Sequence, residues 1–402
     1  MRSSTIQVTM AEICEVVTDG THDSPKLQMG GVPFIKGKHI SSGLIDFDNC
    51  DYISEQDHLL CIKRVKPQLN DVLMSNIGSI GDSARVAEDR EFSIKNVALL
   101  RPDSEQIHPM YFFFLFKNPF FKNRLMNLKA GSAQQYISLA ALRGHQIEII
   151  SDLPTQERIA AILSAYDDLI ENNRRRIALL EQAARLLYRE WFVHFRFPGH
   201  ETAKFVDGLP EGWAEQKVGD LGAVVTGKTP SKKVAEYFDG HIPFIKTPDM
   251  HGNIFVLSTA ETLTEQGAKS QAKKTLPPKS VLVSCIGTVG VVTMNANYAQ
   301  FNQQINAVVP EAGNSNYYVY FALESIKPRL EAIGGGVTMA NVSKSKFESV
   351  PVIVPNSSKQ QDFHVLVEPI FDQIMQLAKS NAQLTRARDL LLPRLMHGRI
   401  PV

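Results

Sequence analysis

The sequence repeats itself at about half its length, and this internal repeat limits the possible folds more than any other feature. Residues 33–36, Pro-Phe-Ile-Lys, recur unchanged as residues 243–246. Further along, residues 136–138 match residues 341–343. The matches are collinear, and the separation between the copies changes by only a few residues. We therefore predict that the 402-residue chain contains two copies of one structural plan.

Each copy begins with a mixed segment, in which short β-branched runs alternate with Gly, Pro and Asp turns. This alternation is typical of α+β structure. Within it, residues 110–128 of the first copy and 317–333 of the second are rich in aromatic and aliphatic side chains. Each of these segments predicts one buried helix closed by glycine, near Gly131 and at Gly334. The expected fold class is α+β, with two similar α/β heads.

The second part of each copy predicts a long helix with a heptad seam, because seam residues recur at alternating spacings of four and three. The first seam is Ile159, Leu163, Tyr166, Ile170, Asn173, Ile177, Leu180, Ala184, Leu187 and Trp191, and the second is Phe363, Val367, Ile370, Ile374, Leu377, Asn381, Leu384, Arg388, Leu391 and Leu395. One asparagine in each seam costs stability but fixes register and partner. An antiparallel coiled coil of the two helices would separate the heads and relate them by a pseudo-twofold axis. A helix that only covers its own head is the competing interpretation, and it predicts a broader apolar stripe.

These patterns divide the chain into five segments. The first head is expected at residues 1–152 and its helix at 153–197, followed by a linker at 198–208. The second head is expected at residues 209–356 and the C-terminal helix at 357–402.

The charge balance excludes a polybasic binder. Lys and Arg number 43 and Asp and Glu 42, for a net charge of +1. Basic loops balanced by acidic helices remain compatible with DNA binding.

The four cysteines have no C-x-x-C pairing and predict reduced thiols. Without an apolar signal segment or a run of ~18 apolar residues, we expect a cytoplasmic protein with no membrane partner.

Residues 222–229 fit the pattern G-x-x-x-x-G-K-[ST] of a phosphate-binding P-loop. The β-branched run inside the motif favours a strand instead. Aligning the copies pairs Gly222 with Cys14 and Gly227 with Asp19, so the first copy lacks both glycines. The histidines show no metal-site spacing. We therefore expect neither a catalytic residue nor a metal ligand in this chain.

The order head, helix, head, helix resembles the specificity (S) subunit of type I restriction-modification systems. Residues 19–22 and 226–231 resemble the openings of its target-recognition domains, and residues 191–199 resemble its central conserved region. Residues 209–213, Leu-Pro-Glu-Gly-Trp, resemble the entry to its second recognition domain, and residues 388–398 resemble its C-terminal signature. The resemblance covers essentially the whole chain.

The resemblance implies a non-catalytic DNA specificity subunit. Each head would bind one half of a split double-stranded DNA target. The helices would set the gap between the halves and dock two methyltransferase (M) subunits. S-adenosylmethionine would be bound by those M subunits, which methylate adenine. ATP and magnesium would serve the restriction (R) subunits, so no cofactor is expected on this chain.

DNA contacts in such a protein are expected from polar and basic loops at equivalent places in both heads. Lysines suit phosphates, whereas amides and hydroxyls suit base edges. The candidates are Thr21, His22, Lys26, Lys36, Lys38, Gln134, Gln135 and Tyr136 in the first head, and Lys228, Thr229, Ser231, Lys232, Lys233, Lys246, Thr338, Asn341 and Ser343 in the second. A solvated lysine or a turn-capping hydroxyl is the competing interpretation for each single residue.

Two other functions stay open at this point. A coiled-coil scaffold whose heads bind proteins would have the same organisation. A P-loop nucleotidase would fit residues 222–229 alone. The near-neutral charge predicts that an S subunit of this kind binds DNA weakly by itself and more strongly with its M subunits.

Overall fold

The structure, a computed structural model, describes residues 4–41, 43–77, 80–131, 135–335 and 340–402. The chain forms two compact units. The first unit comprises Met1–Glu171 and Gln383–Val402, and the second comprises Asn172–Ala382. Each unit therefore contains one head together with part of each of two long helices.

The first head is built from short elements, and a long helix follows it. Its strands are β1 (Thr5–Thr9), β2 (Cys14–Asp19), β3 (Val32–Lys36), β4 (Ile40–Ser41), β5 (Leu44–Ile45), β6 (Asp51–Ile53), β7 (Val72–Met74), β8 (Ser83–Arg85), β9 (Ser93–Lys95), β10 (Ala98–Pro102) and β11 (Gln146–Ile150). Its helices are α1 (Met10–Ile13), α2 (Glu55–Cys61), α3 (Pro109–Lys117), α4 (Pro119–Met126) and α5 (Leu139–Arg143), and the long helix is α6 (Leu153–Tyr188).

The second head follows the same plan. Its strands are β12 (Phe205–Val206), β13 (Leu209–Pro210), β14 (Ala214–Lys217), β15 (Gly222–Thr226), β16 (Phe238–Ile245), β17 (Phe255–Val256), β18 (Glu261–Leu263), β19 (Val281–Ser284), β20 (Val292–Asn295), β21 (Gln300–Phe301), β22 (Ile305–Pro310) and β23 (Pro351–Val354). Its helices are α7 (Thr247–Met250), α8 (Glu265–Lys269), α9 (Asn316–Ser325), α10 (Lys327–Gly334) and α11 (Lys344–Glu348), and the long helix is α12 (Ser357–Met396).

Corresponding strands build the same sheets in both heads. The main sheet has the order β2-β10-β7-β8 in the first head and β15-β22-β19-β20-β17 in the second. The smaller sheets are β6-β3-β9 and β18-β16-β21. In each smaller sheet the central strand has one parallel and one antiparallel neighbour. The predicted repeat of an α/β head is confirmed.

The core of each head lies between its main sheet and an aromatic helix. Strand β7 and the first three residues of β19 are fully buried, because each is an uninterrupted apolar run. Helix α3 contacts β8, and α9 contacts β19 and β20. The side chains from Tyr111 to Phe116 and from Tyr317 to Leu323 are all buried.

The aromatic segment of each copy forms two helices, so the prediction of one continuous helix is wrong. Between α3 and α4, Asn118 is extended, with φ −73° and ψ 121°. Its side-chain oxygen accepts a hydrogen bond from the N–H of Phe120 at 3.0 Å. Pro119 and Pro328 lie in the first turns of α4 and α10. A proline is tolerated there but not within a helix, because it has no N–H to donate to the preceding turn.

A buried glutamine ties the start of each long helix to its own head. Gln156 accepts a hydrogen bond from the N–H of His108 at 2.8 Å and donates to the carbonyl of Ile150 at 2.7 Å. Gln360 in α12 accepts from the N–H of Ser315 at 3.1 Å. Both glutamines are at most 1% exposed. These bonds satisfy backbone groups that the chain would otherwise bury unpaired.

The two long helices run antiparallel, as the contacts within the second unit show. Asn173 Nδ2 donates to Asn381 Oδ1 at 2.9 Å. At the end of α6, the ring centroids of Tyr188 and Phe363 lie 6.3 Å apart. Residue numbers therefore rise along α6 as they fall along α12. In the first unit, an ion pair joins Asp167 of α6 to Arg388 of α12.

The seam residues are shielded from solvent to different degrees. Buried members are Ile159, Leu163, Ile170, Asn173, Ala184, Trp191, Phe363, Val367, Ile374 and Leu395, and half-buried members are Tyr166, Ile177, Leu180, Leu187, Ile370, Leu377, Asn381, Leu384, Arg388 and Leu391. This burial is what a heptad seam between two helices requires.

The cysteines and the helices show two further properties of the chain. All four cysteines are free thiols. Burial raises the pKa of Cys285 to about 11 and that of Cys14 to about 12, as in unreactive structural thiols. Among the residues described, no helix combines the length and apolar character needed to cross a membrane.

Candidate nucleic-acid interface

In the first head, the turn after β2 lies against the loop that follows β9. The N–H groups of Gly20 and Thr21 donate to the carbonyl oxygens of Val97 and Ile94, each at 3.0 Å. A Cβ atom on Gly20 would overlap the carbonyl oxygen of Ile94. Glycine therefore allows the two backbone segments to approach this closely.

The second head repeats this arrangement after β15. The N–H of Gly227 donates to Ile305 at 3.1 Å, and the N–H of Lys228 donates to Phe301 at 2.9 Å. A Cβ atom on Gly227 would overlap the carbonyl oxygen of Asn302. The same close approach of two backbone segments thus requires glycine in both heads.

These contacts correct the alignment of the two copies. The counterpart of Gly227 is Gly20, so the pairing of Gly227 with Asp19 is wrong by one residue. Strand pairing fixes the register here, and motif spacing alone could not resolve it. The expected strand in the P-loop-like segment is present, because Gly222–Thr226 pairs with β22 along its whole length. An extended strand does not wrap a phosphate, so the nucleotidase interpretation does not fit.

The third residue of each turn bonds to a polar side chain on the neighbouring loop. His22 Nδ1 lies 2.9 Å from Asn96 Oδ1. Thr229 Oγ1 donates to Gln303 Oε1 at 2.7 Å. We call these two contacts the turn pairs, His22–Asn96 and Thr229–Gln303. They occupy the same place in the two heads but consist of different residues.

A buried acid supports the turn pair of the first head. His22 Nε2 lies 3.2 Å from Asp19 Oδ2, and Arg64 Nε donates to Asp19 Oδ1 at 3.0 Å. The side chain of Asp19 is 8% exposed, whereas that of His22 is 59% exposed. Asp19 and Arg64 therefore orient an imidazole that remains accessible to a ligand.

A lysine at the end of the central strand of each smaller sheet binds a carboxylate on the neighbouring strand. Lys36 Nζ lies 2.8 Å from Asp51 Oδ2, and Lys246 forms the equivalent ion pair with Glu261. Hydrogen bonding from Lys36 lowers the pKa of Asp51. Lys38 also contacts Asp51, at 3.4 Å, but its side chain remains 62% exposed. Lys36 and Lys246 thus join neighbouring strands of the smaller sheets, and Lys38 has the more exposed ammonium group.

We call the end of the smaller sheet that carries the turn pair and these lysines the edge of each head. A further loop joins this edge in the first head. A Cβ atom on Gly37 would lie 2.7 Å from Ser75 Oγ, at the end of β7. Tyr136 forms a β-bridge with Ile77, two residues beyond Ser75. Asn341 forms the corresponding bridge after β19 in the second head. The matched segments at Tyr136 and Asn341 therefore occupy equivalent positions.

The remaining candidates differ in their exposure. Thr21 is buried, and its hydroxyl accepts a hydrogen bond from the N–H of Asp23, so it shapes the turn rather than facing a ligand. Ser343 is exposed and caps α11. The other exposed candidates are Lys26, Gln135, Lys228, Ser231, Lys232 and Lys233. Gln134 and Thr338 lie outside the described residues.

Asn96 and Gln303 were not predicted from the sequence. Neither belongs to a recognisable motif, and their strands, β9 and β21, are short. The signal that could have revealed them is topological. Each residue follows the strand that runs parallel to the centre of the smaller sheet, and polar residues after parallel strands meet at one edge.

The edge can bind polar ligands through its amides, hydroxyl, imidazole and lysines. These groups match the donors and acceptors of base edges and phosphates. No group of three or more potential metal ligands occurs in the part of the chain that the structure describes.

Comparison with known families gives the same assignment. The type I restriction modification DNA specificity domain matches residues 5–182 and again residues 210–386. The chain therefore belongs to the family of type I restriction-modification specificity subunits and contains two copies of its domain.

Individual relatives agree with this assignment. The chain is 33% identical over 313 residues to the type I restriction enzyme HindI specificity subunit of Haemophilus influenzae, covering 62% of this chain and 68% of that protein. It is 27% identical over 301 residues to the MjaIX specificity subunit of Methanocaldococcus jannaschii, covering 73% and 69%. Its fold is similar to that of the S subunit from M. genitalium, with a TM-score of 0.61, 17% identity, and 98% and 96% of the chains covered.

Proposed function

We propose that each head of this specificity subunit reads one half of a bipartite double-stranded DNA target. The two turn pairs carry this proposal, because they place different polar side chains at the same position of one shared frame. Asparagine and glutamine suit adenine edges, whereas histidine and threonine offer other donors and acceptors. Two heads that differ in these side chains would recognise different half-sites without a change of fold.

Exposed lysines supply the phosphate contacts in this proposal. Lys26 and Lys38 serve the first head, and Lys228, Lys232 and Lys233 serve the second. All five are exposed. Such contacts fix the register of the protein on the duplex without selecting a sequence. Gln135, Tyr136 and Asn341 lie on exposed loops that would add base contacts.

The helix pair is proposed to set the distance between the half-sites and to dock two M subunits. In the first unit, Ile162 is 37% exposed and Leu390 is 54% exposed. In the second unit, Leu186 and Leu366 are 50% and 49% exposed. The repeat aligns Ile162 with Leu366 and Leu186 with Leu390. Two equivalent apolar surfaces are what two copies of one partner need.

The catalytic chemistry is assigned to the partners. In this proposal the M subunits bind S-adenosylmethionine, and the R subunits use ATP and magnesium. The chain itself is non-catalytic, binds no cofactor and works in the cytoplasm. Its groups at the edge are suited to recognition, since they combine amides and lysines without an activated nucleophile.

Salt-dependent DNA binding tests the proposal against a protein-binding scaffold. The complex of this chain with its M subunits should bind target DNA with an affinity that falls steeply with salt, and the chain alone should bind weakly. Replacing Lys228, Lys232 and Lys233 by glutamine should reduce the slope of log K against log salt by about one for each of these lysines that binds a phosphate. Fluorescence anisotropy at several salt concentrations measures this slope.

Lys379→Gln is the matched control, because Lys379 is exposed on α12, away from the edge. Its slope should equal that of the unmodified complex. Affinity without salt dependence, or equal slopes for all variants, would favour the scaffold whose heads bind proteins.

A further inference from the structure

The helix pair contains a polar layer that breaks the symmetry of the repeat. Asn173 and Asn381 bond to each other at 2.9 Å. The repeat, however, aligns Asn173 with Leu377 and Asn381 with Ile177. The two asparagines are therefore not equivalent residues of the two copies. They meet because α6 pairs with α12.

The two asparagines are shielded from solvent, so their hydrogen bond to each other affects which helices can pair. Asn173 is only 4% exposed, and Asn381 is half-buried. An amide at such a position loses its contacts with water on folding. It therefore needs a protein partner, and a seam asparagine without one opposes that pairing.

Pairing between identical helices of two copies would remove this partner. If α6 paired with α6 of a second copy in the same register, Asn173 would face Ile177. If α12 paired with α12, Asn381 would face Leu377. Each arrangement would place an amide against an aliphatic side chain twice, once in each copy.

An ion pair in the first unit independently favours the pairing of α6 with α12. Asp167 of α6 binds Arg388 of α12, and Lys117 Nζ lies 2.8 Å from Asp167. The side chain of Arg388 is only 18% exposed. The repeat aligns Asp167 with Phe371 and Arg388 with Ala184. Pairing between identical helices would therefore leave this arginine opposite an aromatic ring.

We propose that Asn173 and Asn381 form a heterotypic key, which selects pairing of α6 with α12 and disfavours pairing of identical helices from two copies of this chain. The pairings disfavoured are thus those that join α6 to α6, or α12 to α12, of a second copy of the same protein. The consequence is that each helix pair contains one helix from each repeat. This inference does not depend on what the heads bind.

The test uses the full chain with the polar layer replaced by leucine, Asn173→Leu with Asn381→Leu. A leucine layer tolerates the pairing of identical as well as different helices. The Tm of the protein should therefore rise by a few degrees, while its selectivity for α6–α12 pairing falls. The cysteine pair Ile170→Cys with Leu180→Cys reports the pairing of identical helices. Residue 170 lies opposite residue 180 of the second copy only in an α6–α6 pair, and within one helix the two are ~15 Å apart.

Each protein is refolded at several concentrations, oxidised and run on non-reducing gels. The Ile170→Cys, Leu180→Cys protein that keeps both asparagines should stay monomeric, and the leucine-layer protein should give a cross-linked dimer that increases with concentration. Ile170→Cys with Leu384→Cys is the positive control, since residues 170 and 384 are opposite in the chain's own pairing. The unmodified chain gives the background of its native cysteines.

A composition-matched variant exchanges Asn173 with Ile177 and Asn381 with Leu377. It moves the polar layer by one step and keeps the asparagines opposite each other, so it should remain free of the cross-linked dimer. The proposal is overturned if the leucine layer gives no more dimer than the asparagine layer. It is equally overturned if the composition-matched variant gives as much dimer as the leucine layer.

Discussion

Gly20 is the residue at which the edge of the first head depends most on the absence of a side chain. Its backbone packs on Ile94, and a Cβ atom would overlap the carbonyl oxygen there. We predict that Gly20→Ala destabilises the protein by about 1–3 kcal/mol, as overpacking usually does. It should also displace His22 from Asn96 and weaken recognition by the first head. Chemical denaturation measures the first effect, and DNA binding with the M subunits measures the second.

Gly30→Ala provides the control within the same head. No atom lies within 4 Å of a Cβ at this position, so its stability should change by less than about 0.5 kcal/mol. If both alanine variants behave alike, the close approach at Gly20 has no energetic importance.

The long helices carry the prediction that belongs to the scale of elements. Ile162→Glu with Leu390→Glu should remove one apolar docking surface and leave the surface at Leu186 and Leu366 intact. Burying two carboxylates against a partner is unfavourable, so binding of one M subunit should weaken by about tenfold or more. Native mass spectrometry should then show one M subunit per specificity subunit instead of two.

Leu179→Glu is the control for this charge effect. Leu179 is 65% exposed on α6, but the repeat aligns it with Gln383, so it has no apolar counterpart. It should keep both M subunits. Retention of two M subunits in the Ile162, Leu390 variant would show that docking occurs elsewhere.

The elements also show how far the sequence determines the fold. Heptad spacing was sufficient to predict two long helices with seams, because helical periodicity is a local property. The break at Asn118 was missed because the aromatic run around it outweighed a single proline. The pairing of Asn173 with Asn381 depends on antiparallel register, which the spacing within one helix does not contain.

The edge of each head was less predictable from the sequence than the long helices. His22 and Thr229 lie in turns next to repeated motifs and were found from the sequence. Their partners Asn96 and Gln303 come from loops that lie 74 residues further along the chain in both heads. Only the parallel pairing in the smaller sheets brings these loops together.

At the scale of the whole molecule, two similar heads share one chain of net charge +1. Each head presents a small set of polar and basic groups at the edge of its smaller sheet. Since the net charge is close to zero, we expect specificity to rest on local contacts. We therefore assign each half-site to one head and predict that the two half-sites can be altered separately.

The most direct test is the sequence of methylated sites after Asn96→Ala and, separately, Gln303→Ala, with each variant expressed alongside its M subunits. Single-molecule sequencing of methylated DNA reads both half-sites and the gap between them. We predict that Asn96→Ala relaxes one half-site, that Gln303→Ala relaxes the other, and that the gap stays unchanged in both. A change of the same half-site by both variants would contradict the assignment of one half-site to each head. An unchanged methylated sequence in both variants, with methylation continuing, would contradict it equally.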